Sequence, residues 1–248
     1  MGSVGLLYVG AVLVVNGLML LGIVEARSAA PLNLFVGGLQ VVTPTVLIIM
    51  SGGDPDVILG ASGIYLFGFT YLYVGINLLA GLDGTGLGWF SAFVACCAVV
   101  YAGLNFGRYD DPGFGVIWLV WAVLWGLFWV VLGLGRESLT RFTGAVAVVA
   151  GIVTAAVPAF LLLTDLWVDY TMTWAIAIAA ATVVICAALY PRLRGAPEPA
   201  VAPNVVAETG APATSAGVPE PRASRPEARA GTAAPESTAT RPDDRRGG

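Results

Sequence analysis

The sequence contains no histidine, and no lysine either, so that all 12 of its basic residues are arginine. Without a lysine amine there is nothing to form a retinal Schiff base, which excludes a seven-helix photoreceptor. Without histidine, the usual ligand for haem or zinc is missing, and so is the side chain that titrates most readily near neutral pH. Charge of either sign is scarce, at 11% of residues against about 25% in soluble domains. The net charge of −4 is too small and too mixed to point to nucleic acid. The three cysteines, Cys96, Cys97 and Cys186, sit inside apolar runs, where free cysteine behaves as a small hydrophobe. They make neither a disulfide framework nor a metal-binding spacing. No catalytic residues, metal ligands or cofactor motif stand out, and the chain does not read as an enzyme.

What is present is apolar: 57% hydrophobic residues and a mean hydropathy of +0.83, with the bilayer as solvent. Crossing roughly 30 Å of hydrocarbon takes about 20 residues. Runs of that length are expected near 4–24, 32–51, 57–80, 86–105, 114–134, 142–164 and 171–190. Up to Arg194, every charged residue falls between them. The connections around Glu25 to Ser28, Ser51 to Asp56 and Gly107 to Pro112 are short and rich in turn residues, so successive helices should pack antiparallel. The first run has no basic residue before it and is too long for a signal peptide core, so it is expected to remain as a helix. Leu6 stands where a myristoylation signal wants serine or threonine.

Basic residues in short loops mark the cytoplasmic side. With the N-terminus outside, Arg27, Arg136, Arg141, Arg192 and Arg194 face the cytoplasm, and Arg108 faces out. That arrangement needs an odd number of spans, which seven satisfies. From Gly195 to Gly248 the chain is alanine, proline, glycine, threonine, serine and glutamate with scattered arginine, and no aromatic residue. It cannot bury enough surface to fold and is expected to be a disordered cytoplasmic tail.

No Asp, Glu, Lys or Arg stands in the middle of a span. Ion-coupled transporters usually mark their route with such groups, so a pathway for a small neutral solute fits better. Within 114–134, Trp118, Trp121, Trp125 and Trp129 project within an arc of about 80° at helical periodicity. Four indoles spread over about 16 Å of helix rise cannot all lie at one headgroup level. They either pack against lipid and neighbouring helices or form a flat apolar slot suited to a planar amide, which refuses ions for want of ligands. Leu6, Val9, Leu13 and Asn16 share one face of the first helix, and Phe67 and Tyr71 one face of the third. Asn16 and Asn77 would serve as polar pore groups or as interhelical hydrogen-bonding glue.

Several strings together resemble the AmiS/UreI family of urea channels and short-chain amide transporters. They are Leu6-Leu7-Tyr8-Val9-Gly10 with Asn16-Gly17, Phe35-Val36-Gly37-Gly38-Leu39, and Leu66 to Tyr73 with Asn77. Further along come Gly88-Trp89-Phe90, Trp118-Leu119-Val120-Trp121 with Leu124-Trp125, and Phe142-Thr143 followed by Thr154-Ala155 and Pro158. The resemblance runs in order to about Trp167. It implies an all-α membrane helix bundle with a six-helix channel core over 1–167, a ring of six protomers in the bacterial plasma membrane, and passage of urea or small amides. By matching positions, Leu6, Val9, Leu13, Phe67, Tyr71, Trp118, Trp121, Leu124 and Trp125 would line or constrict the pore. A seventh transmembrane helix with its basic end (168–194) and the tail (195–248) lie outside that core. Acid-gated members have a longer, histidine-containing loop where this chain has Ser51 to Asp56, and a glutamate where it has Ala150. The missing histidine makes flux insensitive to mild acid the expectation, and the missing glutamate weakens the expectation of urea selectivity. The alternative is an ion-coupled secondary transporter of the same solutes.

Overall fold

The computed structural model describes residues 2–167 and 171–193; the expected tail over 195–248 lies outside the described residues. Seven helical spans are long and apolar enough to cross a membrane, and no strand occurs among the described residues. They are α1 (Gly2–Leu20), α2 (Ala26–Met50), α3 (Pro55–Ala80), α4 (Thr85–Gly107), and α5 (Pro112–Phe128), which continues into a π turn at Trp129–Gly133. The sixth span joins α6 (Thr140–Ala150), a π turn at Gly151–Ala156 and α7 (Val157–Leu163), and the seventh is α8 (Thr171–Leu193).

Helix starts follow from local chemistry. Asp54 caps α3 by accepting from the amides of Asp56 and Val57, and Asp111 caps α5 by accepting from Phe114 N. In both, proline occupies the first helical position, where its missing N–H is not needed. Gly81 closes α3 in the left-handed region at φ 64°.

The second helix departs from expectation, beginning at Ala26 rather than near residue 32. The Glu25 carboxylate accepts from Arg27 N, which starts the helix before Pro31. Pro31 and Pro44 are both accommodated inside α2, as bilayer helices permit when neighbours satisfy the freed backbone groups.

The bundle is built on close helix pairs: α2 against α3, α4 against α5, and α1 against the sixth span. The last pair depends on glycine. A Cβ on Gly10 would meet Gly151 O at 2.8 Å, and one on Gly17 would meet Gly144 O at 2.5 Å. The two backbones therefore touch at points seven residues apart on each helix, the close approach small residues allow in membranes.

Antiparallel packing shows at the helix ends, where Arg108, just after α4, pairs with Asp56 at the start of α3 at 2.7 Å. Phe35, Val42, Phe93, Val100 and Val123 are exposed on the outside of the bundle, as lipid-facing residues should be. The seventh helix packs on α5 and α6 and buries only Ala175 and Ile178.

Candidate functional site

Where α1, α3 and α5 begin, the bundle encloses a cavity of about 370 Å³. Its apolar wall comes from Leu6 and Val9 of α1, Ile64 and Phe67 of α3, Phe114, Trp118 and Trp121 of α5, and Leu162 of α7. Its polar wall is Ser3, Gln40, Tyr101, Asn105 and Tyr109. No acidic or basic side chain borders it.

The floor of the cavity is an aromatic knot around Phe67. Its ring lies 5.5 Å from Trp118, 4.7 Å from Trp121 and 5.0 Å from Trp125, centroid to centroid. The two nearer indoles stand edge-on, a favoured aromatic geometry. Tyr101 stacks on the outer side of Trp118 at 4.6 Å, and its hydroxyl is fixed by Ser62 at 2.7 Å and Leu59 O at 3.1 Å.

Two of the buried indole N–H groups, those of Trp121 and Trp125, are tied to threonines on other helices, while that of Trp129 is buried without a partner. Trp121 Nε1 donates to Thr154 Oγ1 at 2.9 Å, and Thr154 donates on to Ala150 O at 2.5 Å. Trp125 Nε1 donates to Thr70 Oγ1 at 3.3 Å, and Thr70 donates on to Leu66 O at 2.7 Å. Each threonine thus satisfies a buried donor and passes its own proton to the carbonyl one turn back.

All nine apolar positions singled out in the sequence fall in one buried cluster. Leu6, Val9, Phe67, Trp118 and Trp121 border the cavity; Leu13, Tyr71, Leu124 and Trp125, about a turn further along their helices, are almost fully buried. Trp129 leaves the stripe at the start of the π turn and meets Trp89 at 5.9 Å instead.

The two asparagines have separate fates. Asn16 exchanges hydrogen bonds with Asn33 at 2.9 and 2.7 Å, which makes it glue between α1 and α2. Asn77 donates to Asp83 O at 3.4 Å at the far end of α3, and its Oδ1 is buried without a partner. Neither borders the cavity.

Sequence reasoning missed Thr70, Thr154, Tyr101, Gln40 and Asn105. Of these, Asn105 carried a usable signal, as the lone carboxamide within its apolar run.

A family model describing AmiS/UreI family transporters matches residues 1–166. The chain belongs to that family. It is 66% identical over 164 residues to a candidate transporter named AmiS2 from Rhodococcus erythropolis, covering 66% of this chain and 80% of that one. It is 37% identical over 191 residues to the acid-activated urea channel of Helicobacter pylori strain J99, covering 66% of this chain and 97% of that one. The cryo-electron microscopy structure of the H. pylori urea channel in a closed state superposes with a TM-score of 0.62 at 38% identity, covering 68% of this chain and all of that one. This family member is a multi-span membrane transport protein, and its named relatives are transporters and channels rather than enzymes.

Proposed function

We propose that the chain is a passive pore for urea or short aliphatic amides, open to them at neutral and mildly acid pH alike. The observation that carries this is the Phe67 knot at the base of an uncharged cavity. A planar, neutral solute can slide between aromatic faces, whereas an ion entering there finds no ligands to replace its water. Leu6, Val9, Leu13, Phe67, Tyr71, Trp118, Trp121, Leu124 and Trp125 line or constrict the path in this reading. The core spans 1–167, with the seventh helix and its basic end (168–194) added to it. The permeants are supported by the names of the relatives, which include a urea channel and, from Mycolicibacterium smegmatis, a candidate transporter of amidate substrates.

The protomer would work in a ring of six in a bacterial plasma membrane. Arginine placement puts the N-terminus, and with it the mouth of the cavity, outside, and the residues after α8 in the cytoplasm.

Stopped-flow light scattering on proteoliposomes tests the reading with urea, acetamide and glycerol, between pH 5 and pH 7.5 and with and without a proton gradient. Urea or acetamide should equilibrate faster than in protein-free liposomes and should never accumulate. Flux at the protein-free rate refutes transport of these solutes; accumulation driven by the gradient replaces the pore with a coupled transporter.

A further inference from the structure

Gln40 and Asn105 are each more than nine-tenths buried, and both border the cavity. In each, the amide nitrogen is already engaged. Gln40 Nε2 donates to Gly5 O at 3.4 Å, and Asn105 Nδ2 donates to Tyr101 O at 2.8 Å. A backbone carbonyl can only accept, so the NH₂ end must be the one bonded to it, which fixes the position of the carboxamide oxygen; in Gln40 that oxygen lies over Gly5, where a Cβ would meet it at 2.6 Å. Neither Gln40 Oε1 nor Asn105 Oδ1 takes a hydrogen bond from any described residue.

Two held acceptors are the complement of the NH₂ group that a primary amide offers. We propose that the cavity is a capture site for solutes bearing an unsubstituted carboxamide or urea NH₂. In it, Gln40 Oε1 and Asn105 Oδ1 accept from N–H. The assignment rests on the pore reading and deepens it: the aromatic knot selects shape and neutrality, and the carboxamides select N–H donors before the solute reaches the knot. Leaving these oxygens unpaired is unfavourable, so a solute that pairs them is favoured over one of similar shape that cannot.

The test uses the full chain in proteoliposomes and measures half-saturating concentrations for flux of acetamide, N-methylacetamide and N,N-dimethylacetamide. The series keeps the carbonyl and removes N–H donors one at a time. In the wild type, half-saturation should rise along the series. Gln40→Met and Asn105→Leu should each raise the acetamide value about threefold to tenfold, as loss of one neutral hydrogen bond does, and leave the N,N-dimethylacetamide value unchanged. A damaged fold would lower flux of all three together. The capture site is overturned if the wild type half-saturates alike with the three amides, or if the variants shift all of them equally or none. In those outcomes, acetamide flux above the protein-free rate leaves the pore reading intact. Absence of both acetamide and urea flux in the wild type removes both. Should either variant fail to insert, the wild-type series still decides.

Discussion

Trp121 donates its indole N–H to Thr154 Oγ1 across 2.9 Å, which ties the floor of the cavity on α5 to the π turn of the sixth span. Thr154 is fully buried and Trp121 nearly so. Thr154→Val keeps the shape and removes the acceptor, leaving the indole donor unpaired at a cost of about 1–3 kcal/mol. Lower thermal stability and altered urea-to-acetamide selectivity should follow, with Thr154→Ser restoring both. A shift of the indole N–H band in ultraviolet resonance Raman spectra would register the lost bond directly.

Phe67 is the ring on which three indoles converge. Phe67→Ala should reduce stability by about 3–5 kcal/mol, the usual range for a buried phenylalanine, and should open the knot. Glycerol flux should then rise relative to urea in the same proteoliposomes. Unchanged selectivity would remove Phe67 from the path.

The α1 and α6 backbones leave no room for a side chain at Gly17. Gly17→Val should force the helices apart and destabilise the protein by about 1–3 kcal/mol or more, as overpacking does. Gly38, whose Cβ would meet nothing within 4 Å, is the control: Gly38→Ala should insert and melt like the wild type.

The reciprocal pair Asn16 and Asn33 should show coupling in a double-mutant cycle. Asn16→Leu and Asn33→Leu should each destabilise more than half as much as the double variant. The coupling should be roughly 0.6–1.7 kcal/mol, the range for interhelical hydrogen bonds in bilayers. Since neither residue borders the cavity, solute selectivity should be unaffected in variants that fold.

Flux should be flat between pH 5 and pH 7.5. The cavity is bordered by no carboxylate, and the chain has no histidine. In the α3–α4 connection, the hydroxyl and amide of Thr85 hold the Asp83 carboxyl below its ordinary value. A depressed folded-state pKa gives stability that is present above the unfolded value and is lost only as pH falls through the folded one. That loss lies below the ordinary carboxylate range, outside the interval tested. Equilibration rates measured across it check the expectation.

The spans and the aromatic stripe were legible in the sequence because length, hydropathy and helical period are properties of one segment at a time. Leu6, Val9 and Leu13 could be grouped with Phe67 and Trp121 only through the family strings, since periodicity names a face and not its partner. Thr70 and Thr154 were invisible for the same reason, each being an ordinary threonine until a particular indole lies opposite. Asn16 could be pore or glue until Asn33 was found facing it. The start of α2 was misplaced because the continuous apolar run begins only at Leu32, whereas the Glu25 cap had already begun the helix. Trp129 kept the stripe's angular period, but its neighbours in three dimensions are Trp89 and the π turn.

The uncharged wall of the cavity also bears on cellular energetics. In the proposed pore, a neutral solute crossing beside Phe67 and Trp121 would carry no current, so the membrane voltage would neither drive nor oppose it. Traffic in either direction leaves the electrochemical gradient undisturbed. Net uptake through such a pore would follow the concentration difference alone, maintained by consumption of the solute on the inner side, and the pore would empty a cell of it as readily as fill one.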